Sequence, residues 1–139
     1  MKKHTYQFSF ADLNISLKTE WPVSITKNFR PFLIQQNDKI NDGIFEYHTS
    51  DVLERIQGKL LYQDLQYDAI RQESGNIMRV FKDHKEQDLI YAYSKLPECE
   101  NEISISVLKG NEHHFDDMNN SFFHTGWEQF LIQRNRVIL

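Results

Sequence analysis

In several separate stretches of this chain the apolar residues fall at every second position, a spacing that suits strands and not helices. Tyr6, Phe8 and Phe10 alternate with polar neighbours, and Leu13, Ile15 and Leu17 do the same after a change of phase at Ala11 and Asp12. That pattern predicts a β-hairpin. Ile103, Ile105 and Val107, separated by Ser104 and Ser106, give the cleanest alternation and predict a sheet covered on one face and wet on the other. Between these segments, Ile44-Phe45-Glu46-Tyr47 reads as a short strand that follows an Asn-, Asp- and Gly-rich loop over residues 37–43.

From Lys59 the chain reads as a meander. Leu65 and Tyr67 lead toward Ile70, the cluster Glu73-Ser74-Gly75-Asn76 turns the chain, and Ile77 to Phe81 returns. A polar loop over residues 82–88 precedes Leu89 to Tyr93, and Leu96-Pro97-Glu98 with Asn101 makes the last turn. Phe29, Phe32 and Leu33 have helical spacing, but Pro31 stands among them and limits the segment to a short turn.

The longest helical pattern runs over residues 112–134, where Phe115, Met118, Phe122, Phe123, Trp127, Phe130 and Leu131 form one apolar stripe. Gly126 inside it costs about 1 kcal/mol relative to Ala, which predicts a close approach of helix to strand there. The expected architecture is therefore α+β: a single domain over residues 1–139, with a largely antiparallel β-sheet of hairpins and meander packed against a C-terminal amphipathic helix. No internal repeat, low-complexity tract or linker divides it.

Composition bounds the function classes. The 16 Lys and Arg against 20 Asp and Glu give a formal charge of -4, with no basic run suited to a phosphate backbone, so nucleic acid is not an expected partner. The single Cys99 admits neither an intrachain disulfide nor a cysteine-rich zinc site and fits a reducing compartment. The early alternation at Tyr6, Phe8 and Phe10 replaces the apolar run of a signal peptide, and no stretch reaches the ~20 apolar residues of a membrane helix. A cytoplasmic protein without a membrane span is the expectation.

Catalytic signatures are missing from the sequence. Gly43, Gly58, Gly75, Gly110 and Gly126 are scattered and build no phosphate loop, and no GxSxG elbow occurs. No catalytic residue and no cofactor is therefore assigned. The densest polar cluster, His113, His114 and Asp117 with His124 and Glu128 on the same predicted helix, offers imidazoles and carboxylates at spacings of four, a set suited to zinc or to acid–base work. The attraction of acidic residues to a helix N-terminus explains the same pattern without a metal. Tyr62, Tyr67, Tyr91 and Tyr93 fall in predicted strands, where exposed rings would form a binding platform and buried ones would pack under the helix. An open sheet edge that adds a peptide strand needs no side-chain motif at all.

The stretch Phe123-His124-Thr125-Gly126-Trp127-Glu128, continuing through Phe130-Leu131-Ile132 to Arg136-Val137-Ile138-Leu139, resembles the N-terminal region of HPr kinase-like proteins. Phe29-Arg30-Pro31-Phe32, Gly58-Lys59-Leu60-Leu61-Tyr62 and Met78-Arg79-Val80-Phe81 are further likenesses to that region. The resemblance implies an accessory module that lacks the P-loop kinase domain, with Val137 to Leu139 as the strand leading toward it. A non-catalytic recognition domain with a protein or peptide partner, such as a kinase-like domain, is the function it implies.

Overall fold

The computed structural model describes residues 3–10, 12–35, 41–95, 101–118 and 120–133. The loop residues 37–40, the turn at Leu96-Pro97-Glu98, Cys99 and the apolar run Arg136-Val137-Ile138-Leu139 lie outside the described residues. Among the described residues nine strands form one sheet: β1 (His4–Phe10), β2 (Leu13–Thr19), β3 (Leu33–Ile34), β4 (Gly43–Ser50), β5 (Lys59–Gln63), β6 (Tyr67–Arg71), β7 (Ile77–Asp83), β8 (Leu89–Lys95) and β9 (Glu102–Leu108). Their spatial order is β3-β1-β2-β4-β9-β8-β7-β6-β5.

The predicted hairpin is present, with Phe10 paired to Leu13 and Asp12 in the left-handed region at φ 64°. The meander is also present, since β5, β6, β7, β8 and β9 pair antiparallel in chain order. The centre differs from the expectation. Strands β2 and β4 pair parallel, as do β4 and β9, so the sheet is mixed and not simply antiparallel. The physical reason lies in the connections. After β2 the chain runs through a 3-10 turn at Arg30–Phe32 and back along β1 as β3 before it enters β4, a crossover long enough to bring the next strand in parallel.

The helical stripe also breaks in two. Glu112–Phe115 forms a 3-10 turn, and only Ser121–Gln133 forms the helix α1. Between them the backbone turns to residues 21–24: Ser24 N donates to Asp116 O at 2.8 Å, Ser24 bridges to Asp117, and Trp21 Nε1 donates to Phe115 O at 3.0 Å. Asn120 then caps the helix, its Oδ1 accepting from Phe123 N at 2.8 Å. Asp and Asn favour caps and turns over helix interiors, which is why a 112–134 helix does not form.

Helix α1 lies on the face made by Phe8, Ile15, Leu17, Phe45, Tyr47, Ile103 and Ile105, all essentially inaccessible. Phe122, Phe123, Trp127, Phe130 and Leu131 complete that core, with Phe45 stacked on Phe123 at 4.4 Å. Gly126 sits where expected. A Cβ there would come within 2.5 Å of the Phe45 ring, so the close approach requires glycine.

Candidate functional site

Beyond the cover of α1 the sheet continues as a ribbon of β7, β6 and β5, and both of its faces carry unusual features. Directly opposed residues of paired strands share a face, so the register assigns them. Tyr62, Ala69 and Arg79 share the helix side, while Leu60, Ile70 and Met78 share the other.

On the helix side, aromatic rings run from the free end of the sheet into the core. Tyr62 and Tyr67 are 5.8 Å apart, Tyr67 and Phe81 5.6 Å, Phe81 and Tyr91 6.3 Å, and Tyr91 stacks on His114 at 3.9 Å. Arg79 lies within this row at 4% exposure, its guanidinium over the rings of Tyr67, Phe81 and Phe122 at 5.6–5.8 Å. Its Nε has no hydrogen-bond partner, and no carboxylate among the described residues pairs with it. Burial lowers its pKa, because the charged form has lost its water. The sequence carried a signal for this residue, a cation in phase with the apolar positions Ile77 and Phe81.

On the opposite side, residues 51–58 cross the ribbon as an irregular strap. The Tyr93 hydroxyl donates to Glu54 O and fastens it. Gly58 closes it at φ 151°, where a Cβ would stand 2.1 Å from Arg71 O. Beneath the strap is a cleft of about 490 Å³ lined by Arg55, Ile56, Gln57, Gly58, Asp68, Ile70, Val80 and Ile90. Asp68 Oδ1 accepts from Lys82 Nζ at 2.8 Å.

At the end of the ribbon, β5 is exposed along its whole length and no strand among the described residues pairs with its outer edge. Leu60 is 52% and Tyr62 51% exposed, and Leu65 in the following turn is 81% exposed. Asp64 shapes that turn by accepting from Gln66 N at 2.7 Å, Tyr67 N at 3.0 Å and the Tyr62 hydroxyl at 3.0 Å. The two backbone bonds hold its carboxyl below the usual range. The opposite edge of the sheet is only the two-residue β3.

The sequence-predicted His, Asp and Glu residues do not gather in one place. His113 and His114 stand on the 3-10 turn with ring centroids 4.3 Å apart, and Asp117 lies beyond it at the Ser24 bridge. His124 and Glu128 lie on α1, where His124 packs 5.6 Å from Phe29 beside Thr26, Lys27 and Asn28, and Glu128 is exposed. Among the described residues no three His, Cys, Asp or Glu side chains are placed to hold a metal ion.

His114 instead meets Asp83 at the end of β7 and Tyr91 of β8. Its Nε2 is buried without a hydrogen bond, 3.7 Å from Asp83 Oδ2, in a cleft of about 230 Å³ also lined by Leu65, Gln66, Lys82, His84 and Lys85. Burial and the neighbouring His113 lower its pKa, so the neutral imidazole is favoured. Asp83 escaped the sequence reading because β7 extends two residues past Phe81 into the expected polar loop.

No family model matches the chain, and no curated protein or solved structure matches it either. No helix among the described residues is long and apolar enough to cross a membrane.

Proposed function

We propose that this chain is a recognition module, of the kind implied by its resemblance to the N-terminal region of HPr kinase-like proteins, and that it binds an extended segment of a protein partner along β5. The observation that carries the reading is the free outer edge of β5. A strand with unpaired backbone donors and acceptors and exposed Leu60 and Tyr62 is a template for one more strand. Charge narrows the partner. Lys59 stands directly opposite Arg71, like charges in register, and neither forms an ion pair among the described residues. An acidic side chain on the incoming strand relieves that repulsion. Natural edges of this length are usually blunted by bulges or charges, and β5 carries a register shift between Leu60 and Tyr62, so an incoming strand has to follow that bend.

The test uses the 139-residue chain and a capped heptapeptide of alternating valine and glutamate, followed by amide hydrogen exchange. Protection that grows at Lys59–Gln63, and is lost in Leu61→Pro, is the expected result. Unchanged exchange along β5 at saturating peptide, or protection elsewhere only, overturns the reading. A P-loop domain of the HPr kinase-like type, produced separately, is the second probe, and protection of the same strand is expected.

The cleft at His114 favours a second reading, a small acid–base enzyme. A neutral imidazole at a cleft wall, with a carboxylate 3.7 Å from its buried Nε2, becomes a general base with an orienting group when that pair closes to hydrogen-bond distance. Of the residues first suspected, His114 alone carries it. The test is to screen the chain for hydrolysis of simple activated esters, with His114→Ala as control. Turnover that vanishes in the variant supports this reading, and identical background rates remove it.

A further inference from the structure

The cleft beneath the strap is separate from the β5 edge and asks for a ligand of its own. Its floor is aliphatic, with Ile70, Val80 and Ile90 from β6, β7 and β8 and Ile56 from the strap itself. Its volume, about 490 Å³, is that of a small-molecule site, and such sites combine an apolar lining with a few polar groups that fix orientation. Two charged side chains line it, and they differ in what they have left to offer. Asp68 is neutralised by Lys82, whose ammonium is nearly buried at 2.8 Å from it. Arg55 has no ion pair among the described residues. The site therefore presents one uncompensated positive charge at the strap and an apolar floor. Glu73 lines the adjoining cleft and not this one, and Glu54 does not line it either: its carbonyl accepts from Tyr93 and its charge acts on the same hydroxyl.

We infer that this cleft binds an aliphatic carboxylate, its chain on Ile56, Ile70, Val80 and Ile90 and its carboxylate on the Arg55 guanidinium. A planar guanidinium matches a carboxylate with two parallel hydrogen bonds, and the aliphatic floor favours a ligand with an apolar chain over a bare phosphate. The inference does not depend on strand addition at β5, because the two surfaces involve different residues and the probes contain no peptide.

The experiment titrates the 139-residue chain with octanoate, 1-octanol and acetate while following isoleucine methyl resonances. Octanoate is expected to saturate with shifts at Ile56, Ile70 and Ile90, and acetate to produce none. In Arg55→Gln, a change on the exposed strap that leaves the sheet intact, octanoate affinity falls about three- to tenfold and 1-octanol affinity stays the same. Ile70→Phe, which fills the cleft, removes both. Octanoate shifts spread over other isoleucines, equal loss of octanoate and octanol in Arg55→Gln, or no saturable octanoate binding by the folded chain overturns the assignment. If the heptapeptide protects β5 while octanoate fails, only this site falls; if octanoate binds and the peptide does not, only the edge reading falls.

Discussion

The two flanks of the sheet use the same alternation to different ends. Around β2, β4 and β9 the apolar positions meet α1 and disappear from solvent, with Phe45, Tyr47, Ile103 and Ile105 at or below 2% exposure. Around β5 and β6 no helix covers the sheet, and the register shift puts Leu60 and Tyr62 on opposite faces, so each remains about half exposed. Burial is what converts a strand pattern into stability, whereas exposure leaves that free energy available to a partner. The helix-covered half therefore stabilises the fold, and the ribbon is where the proposed binding falls.

The sharpest break of this contrast is a pair of truncations. Phe45→Ala removes a fully buried ring packed against Phe122, Phe123 and Phe130, and a loss of about 3–5 kcal/mol is expected in urea unfolding. Leu60→Ala should change stability by about 0.5 kcal/mol or less, as surface substitutions do. Comparable losses at the two positions would mean that the ribbon is part of one cooperative core. That outcome would remove the basis for assigning it a separate role.

Gly58 tests how the strap is held on the ribbon. A Cβ there collides with the backbone oxygen of Arg71, which cannot swing aside, and φ 151° is adverse to any side chain. Gly58→Ala is expected to cost about 1–3 kcal/mol and to release the strap, raising amide exchange over residues 52–58. Unchanged exchange there would show that the Tyr93 bond to Glu54 fixes the strap by itself.

Much of the covered half was legible in the sequence, and most of the ribbon's candidate sites were not. The hairpin, the turn at Pro31, the meander and the close approach at Gly126 each follow from a local rule that a short window contains. Strand direction does not: alternation at Phe45 and Tyr47 states which face is buried but is silent on whether β4 runs with or against β2. The stripe from Phe115 to Leu131 has the spacing of one helix because both segments bury their aromatics against the same core. The turn between them is set by backbone bonds to Ser24, about 90 residues earlier in the chain. For the same reason the spacing groups His113 and His114 with His124, whereas His114 meets Asp83 and Tyr91 on distant strands. The strap cleft draws on four separate segments, and no spacing in the sequence joins Arg55 to Ile90.

Arg79 sharpens the comparison at the boundary between the halves. It is the one buried cation on the helix side of the described ribbon, held by rings and not by a carboxylate. A charge buried without an opposite partner carries a desolvation cost that ring contacts offset only in part. Arg79→Met keeps the stem's packing and removes that cost, so stability should rise by about 1 kcal/mol in thermal unfolding. A loss of similar size would mean that the guanidinium, and not its stem, ties the ribbon to Phe122.

The smallest expected effect concerns the contact between ribbon and 3-10 turn at His114. Burial first, and His113 second, lower its pKa, while Asp83 and Asp116 oppose them. In the unfolded chain the imidazole takes up its proton near the ordinary value of 6.5, but in the folded protein only at lower pH. Between those two values the unfolded state binds more protons, so this group's contribution is full above pH 6.5 and is lost as pH falls through the interval. His114→Phe retains an aromatic ring over Tyr91 and removes the titration, so its stability should decline less than that of the unmodified chain on going from pH 7 to pH 5. His84, Lys82 and Lys85 line the same cleft, and Asp83 and Asp116 face the imidazole, but all are retained in the variant, so the difference between the two pH profiles isolates His114. Parallel profiles would show that the imidazole already reaches water in the folded state. A diverging pair would place the acid-sensitive contact where β7 and β8 leave the helix-covered half, which makes the ribbon the first part of the fold to loosen.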